Sequence, residues 1–130
     1  MGKVTASGKL SLPGSRIIVE LGCTEAWGQH AINKFPCITA TRGSQCNYWV
    51  ADLGRQVTLH ELMLLQGFNP DAINYKEAGV GRSQVGRMVG NAMSLNVMER
   101  LLASALRAVG LPAPVADKWA FLAQGYIAHA

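Results

Sequence analysis

The chain has 130 residues, a length that suits one domain able to bury its own core, and at 49% hydrophobic against 15% charged residues it is too apolar for a disordered tail. Twelve Lys and Arg against eight Asp and Glu give a net charge of +4, a modest pull toward polyanions with no basic run of the nucleic-acid-arm type. No stretch approaches the roughly 18 consecutive apolar residues of a membrane span, and Met1 to Ser15 lacks the apolar segment of a signal peptide, so a cytoplasmic or nuclear protein with no membrane partner is expected.

Residues 1–16, rich in Gly, Ser, Lys and Thr, suggest a flexible leader. Ile17 to Leu21 then has the branched apolar character of a strand, closed by Gly22. Glu25 to Lys34 is polar with small residues and is expected to form a turn or short helix. Cys37 to Thr41 and Tyr48 to Asp52 are two further strand candidates. Between them, Arg42 to Asn47 has turn composition, so the pair predicts a hairpin with an exposed tip.

Thr58-Leu59-His60-Glu61 has the spacing of a capping box, in which the Thr58 hydroxyl accepts from the third helical N–H and Glu61 reaches back to the Thr58 N–H. Leu62, Leu65 and Phe68 continue an apolar stripe, and Gly67 is a natural stop. Asn69 to Gly86 has no clear period and is expected to be a long connection. From a Ser94 cap, Leu95, Met98, Leu102, Ala105, Leu106 and Val109 recur at helical spacing until Gly110 and Pro112 end the run. The segment 110–130 is expected to carry a last helix, with Pro114 in its first turn, Trp119 and Phe121 as core and an end near Gly125. The pattern predicts an α/β (α+β) chain, a short β-hairpin region followed by two or three helices.

Three cysteines, Cys23, Cys37 and Cys46, have no Cys-x-x-Cys pair and no zinc spacing with His30. Free thiols are expected, with Cys37 buried in its strand, and no metal role is assigned to them or to His30, His60 and His129.

Two segments carry a specific likeness. Gly54 to Phe68 has Arg55, Thr58, Glu61 and Leu65-Gln66-Gly67-Phe68 in the register of the ninth conserved motif of DNA cytosine-5 methyltransferases. It departs with His60 where Arg is usual and with Asn69 before Pro70. Gln84 to Val97 resembles the tenth motif, with Gly90-Asn91-Ala92 in place and Met93 where Val is usual. Both stand in the family's order. Ahead of them, Cys37 to Gly43 resembles the end of that family's target-recognition domain, with Ala40 in place of the usual Leu.

The resemblance implies a division into the end of a recognition domain over residues 17–54 and the ninth and tenth motifs over 55–109. It implies completion of a Rossmann-like methyltransferase fold by a catalytic domain or subunit as partner, with double-stranded DNA as substrate and S-adenosylmethionine as cofactor. The family attacks a flipped-out cytosine with a Cys from a Pro-Cys-Gln segment, helped by the Glu of a Glu-Asn-Val segment. Neither segment occurs here, so the chain alone is expected to be inactive and to carry no catalytic residue. Pro36-Cys37-Ile38 lacks the Gln and lies in the wrong place.

Thr39, Thr41, Arg42, Gly43, Ser44 and Gln45 have the composition of a DNA-contacting loop. Arg can bind phosphate or guanine, Gln can read adenine, and Gly lets backbone approach. Asn91 and Ala92 would face the cofactor. Arg55, Thr58, Glu61, Gln66, Gly67 and Gly90 are motif positions with supporting roles, and Glu61 and Ser94 are first of all helix caps. Two readings of other classes are a non-catalytic DNA-binding module and a small α/β interaction protein.

Overall fold

The computed structural model describes residues 15–24, 28–114 and 116–117. The chain is mixed α+β. Strands β1 (Ile17–Glu20), β2 (His30–Ile32), β3 (Tyr48–Val50) and β4 (Arg55–Gln56) form an antiparallel sheet in the order β2-β1-β3-β4. Helices are α1 (Ala40–Gln45), α2 (Leu59–Leu65), α3 (Arg82–Asn91) and α4 (Leu95–Ala108), with a 3-10 turn at Pro70–Ala72.

β1 lies inside the sheet because its branched residues are needed on both sides. Ile18 faces Ala31 of β2 and Val50 of β3. The core gathers Ile18, Cys46, Tyr48, Val50, Val57, Leu59, Leu62, Met63, Val85 and Val89, with Phe35, Ile38, Phe68, Tyr75 and Val80 packed against it. It therefore draws on residues from both sides of position 55.

The helix at Leu59 forms as its sequence demands. Thr58 accepts from the Glu61 N–H at 3.2 Å, and the Thr58 N–H donates to Glu61 Oε2 at 2.8 Å. It ends before Gly67, which takes φ +83°, a left-handed conformation that a side chain would strain. The strand at Ile17 and the helix from Leu95 also form where expected.

Several expectations are overturned. Residues 40–45 form α1, not the second strand and tip of a hairpin. Thr39 caps this helix by accepting from the Arg42 N–H, and Cys46 closes it at φ 52°. Tyr48 holds the segment leading into it. Its ring is fully buried, lies 4.8 Å from that of Phe35, and its hydroxyl donates to Cys37 O at 2.9 Å while accepting from the Thr39 N–H at 3.2 Å. Burial raises the Tyr48 pKa, the Thr39 bond acting against it. The extended segment 35–39 is tied to a side chain instead of to the sheet, so Cys37 is exposed and outside any strand, whereas Cys46 is buried. β2 occupies His30–Ile32, where a turn or short helix was expected. The connection after Asn69 is shorter than expected, since α3 begins at Arg82 with the Gly81 N–H donating to Gln84 Oε1 at 3.0 Å. The expected leader falls almost wholly outside the described residues, and so do Trp119 and Phe121 of the expected last helix.

Candidate functional site

α1 and α3 cross in direct backbone contact. A Cβ on Gly43 would strike the carbonyl oxygen of Gly86, and one on Gly86 would meet Gly43 C at 2.8 Å and Ser44 Cα at 3.0 Å. A Cβ on Gly90 would fall on the backbone of Thr39 and Ala40. Three glycines thus let two helices touch where side chains would hold them several ångströms apart. Gly43 is buried in this crossing and Gly90 partly so.

The remaining residues of α1 divide by exposure. Thr41 and Gln45 are exposed and Ser44 is half-buried, its Oγ donating to Thr41 O at 2.7 Å. Gln45 Oε1 accepts from Asn47 Nδ2 at 2.7 Å. Arg42 turns back to the sheet. Its Nη2 lies 2.9 Å from Glu20 Oε2 and 3.1 Å from Cys23 Sγ. The hydrogen bond to Cys23, and then the Glu20 charge, raise the Arg42 pKa. Glu20 is only 8% exposed, and a carboxylate so placed needs a partner charge. Arg42 is thus paired with Glu20 on a short helix, where the sequence suggested a side chain at a loop tip, and it remains partly exposed. The sequence signal for this pair is Glu20 itself, since a lone acid in an apolar strand calls for a distant base.

At the other end of the sheet, Arg55 and Glu61 form a bidentate pair, Nη1 to Oε2 at 2.9 Å and Nη2 to Oε1 at 2.7 Å. The same Glu61 Oε2 accepts from the Thr58 N–H at 2.8 Å and the Thr58 hydroxyl at 3.0 Å. The Arg55 hydrogen bond, joined by those from Thr58, holds the Glu61 carboxyl down at about 2. Arg55 is raised in turn. Both residues hold β4 to the start of α2.

Gln66 is the joint between α2, α3 and α4. It is buried, directly after α2. Its Nε2 donates to Val89 O at 3.0 Å and to Ala92 O at 3.2 Å, carbonyls at the C-terminal end of α3. Its Oε1 accepts from the Ser94 hydroxyl, and its carbonyl accepts from the Leu95 N–H at 2.8 Å. One side chain therefore fixes both ends of the turn Asn91–Ser94. Ser94 stands at the N-cap position of α4 but makes no side-chain cap bond, and its hydroxyl instead donates to Gln66 Oε1. Within the turn Ala92 is half-buried. Asn91 is exposed and its carboxamide is unbonded among the described residues.

The surface beyond is partly apolar, with Arg16, Lys34 and Arg100 among its charged residues. α4 has no buried residue, and Val97, Leu101 and Leu102 are each more than half exposed. An open cleft of about 870 Å³ runs between the sheet, α2 and the start of α4, with Phe35, Leu53, Leu64 and Leu65 in its wall. Among the described residues no helix is long and apolar enough to cross a membrane, and no three His, Cys, Asp or Glu side chains group as metal ligands. Comparison with known families, characterised proteins and solved structures returned no match.

Proposed function

We propose that this chain is the C-terminal part of a DNA cytosine-5 methyltransferase, inactive alone, which completes a Rossmann-like fold with a catalytic domain carried elsewhere. In this role it supplies the end of the DNA-recognition region and one wall of the S-adenosylmethionine site, and it works on DNA in the cytoplasm or nucleus. The observation that carries the reading is Gln66. It belongs to one motif-like segment, residues 54–68, and all of its side-chain hydrogen bonds go to the other, residues 84–97. Two segments that resemble consecutive motifs of one family are thus joined through a buried residue of the first.

Two further observations agree. Asn91 offers a free donor and acceptor from a turn held rigid at both ends, which suits contact with the polar groups of a nucleoside cofactor. The exposed apolar residues of α4 and the cleft beside it suit a face covered by a larger partner. On the DNA side, Thr41 and Gln45 are the members of the expected recognition set whose side chains are exposed, and Arg42 serves them by fixing α1 on Glu20. S-adenosylmethionine, when bound, supplies the methyl group. The residues of this chain orient and exclude; they neither attack the base nor move its protons.

The test is complementation. The chain is mixed with a cytosine-5 methyltransferase catalytic half that carries the Pro-Cys-Gln and Glu-Asn-Val segments and ends before its ninth motif. Tritiated methyl incorporation into a GC-rich duplex is expected from the mixture and from neither half alone. A mixture that stays at background overturns the reading, and incorporation by the chain alone overturns its inactivity.

A further inference from the structure

We infer that Gln66 is the positioning residue of the cofactor-facing turn: it sets the place of Asn91 and Ala92 and so tunes affinity for an adenosyl-amino-acid ligand without touching it. This deepens the function proposed above and rests on it. An α-helix ends with carbonyls that have no partner in the helix. At the end of α3 two carbonyls, that of Val89, which also accepts from the Ala92 N–H at 3.3 Å, and that of Ala92, are met by one carboxamide that arrives from α2. The opposite edge of that carboxamide takes the hydroxyl of Ser94, on the far side of the turn. A single planar group, buried against solvent, therefore spans the turn from Val89 to Ser94 and leaves Asn91 and Met93 exposed, of which Asn91 alone carries a hydrogen-bonding side chain.

The donor–acceptor order is fixed by chemistry. The NH2 edge alone can serve two carbonyls, and the oxygen edge alone can accept from the hydroxyl. An isosteric side chain without these edges keeps the volume and loses the alignment. Gly90 confines the turn from the other side, since its Cα lies against Thr39 and Ala40 of α1. The turn thus sits between the expected recognition element and Gln66. Once the carboxamide is removed, its freedom to shift lies on the Gln66 side.

The probe is S-adenosylhomocysteine, titrated onto the isotopically labelled 130-residue chain while backbone amide signals are followed. In the unaltered chain the amides of Asn91 and Ala92 move with ligand at millimolar concentrations. Gln66→Met weakens this binding by about fivefold or more, the range expected when buried hydrogen bonds that hold a contact are lost. Ser94→Ala, which removes one partner and leaves the two carbonyl bonds, weakens it less. Both variants keep the amide signals of β1 to β4 in place, which separates positioning from loss of fold, and both bind duplex DNA as the unaltered chain does. If the unaltered chain responds at Asn91 and Ala92 and both variants titrate identically to it, the inference is overturned and the functional reading stands. If no amide of the unaltered chain responds to the ligand, the cofactor role of this chain is overturned, and the inference with it.

Discussion

Gly43 and Gly86 touch backbone to backbone, the Cα of each lying where a methyl group would collide with the carbonyl of the other. The contact joins a helix that precedes β3 and β4 to one that follows them in the chain. It explains why residues 40–45 coil at all. A six-residue helix is too short to persist alone, so tertiary packing has to supply its stability.

Gly86→Ala is expected to destabilise the protein by about 2 kcal/mol or more, because helix backbones must separate to admit the methyl. Intrinsic helix propensity acts in the opposite direction, favouring Ala by roughly 1 kcal/mol inside a helix. The sign of the change in urea-unfolding free energy therefore decides. A stabilised variant would mean that the helices do not cross at these glycines.

Arg42→Ala is expected to cost about 2 kcal/mol, because it strands the buried Glu20 carboxylate. That is below the roughly 3–5 kcal/mol typical of breaking a fully buried pair, since the Arg42 side chain keeps 29% of its exposure. Glu20→Gln in the same background should recover much of the loss. Thermal unfolding of the single and double variants checks this. An Arg42→Ala protein with unchanged stability would return Arg42 to the role of a free DNA contact.

Acid should weaken the start of α2. Glu61 titrates at about 2 in the fold against its ordinary 4.5. Because the folded value is the lower, the stabilisation is complete above the unfolded value and drains away as pH falls from there toward 2. The Glu61 side chain is 37% exposed, so solvent screening limits the effect to about 1 kcal/mol or less. Urea midpoints between pH 7 and pH 3 should fall more for the unaltered chain than for Glu61→Gln. Parallel curves would remove Glu61 from the acid response.

Thr41→Ala combined with Gln45→Ala is expected to weaken duplex DNA binding several-fold at low salt and to leave the unfolding midpoint unchanged. Both side chains are exposed, and neither is charged. The slope of log affinity against log salt should therefore stay the same, since no phosphate-neutralising charge is lost. Equal affinity for variant and unaltered chain would take α1 out of the DNA interface.

The sequence by itself determined what depends on near neighbours. The Thr58–Glu61 box spans three residues, the stop at Gly67 is a property of one, and the stripe of α4 repeats within each turn, so all could be read along the chain. The strand at Ile17 was legible too, from its branched side chains. Tertiary structure alone decided the rest. Residues 40–45 have strand and turn composition, yet they coil because Gly86 and Gly90, far along the chain, leave room for a backbone. Arg42 is an ion-pair partner because Glu20 lies buried in β1, where its carboxylate needs an opposite charge. Gln66 looked like one motif letter among several. It became the joint of three helices only once the carbonyls of Val89 and Ala92 and the hydroxyl of Ser94 were brought around it. Local hydrogen bonds and side-chain periodicity are encoded within a turn or two of helix, whereas close backbone approach and buried polar pairing depend on partners that only the folded chain brings together.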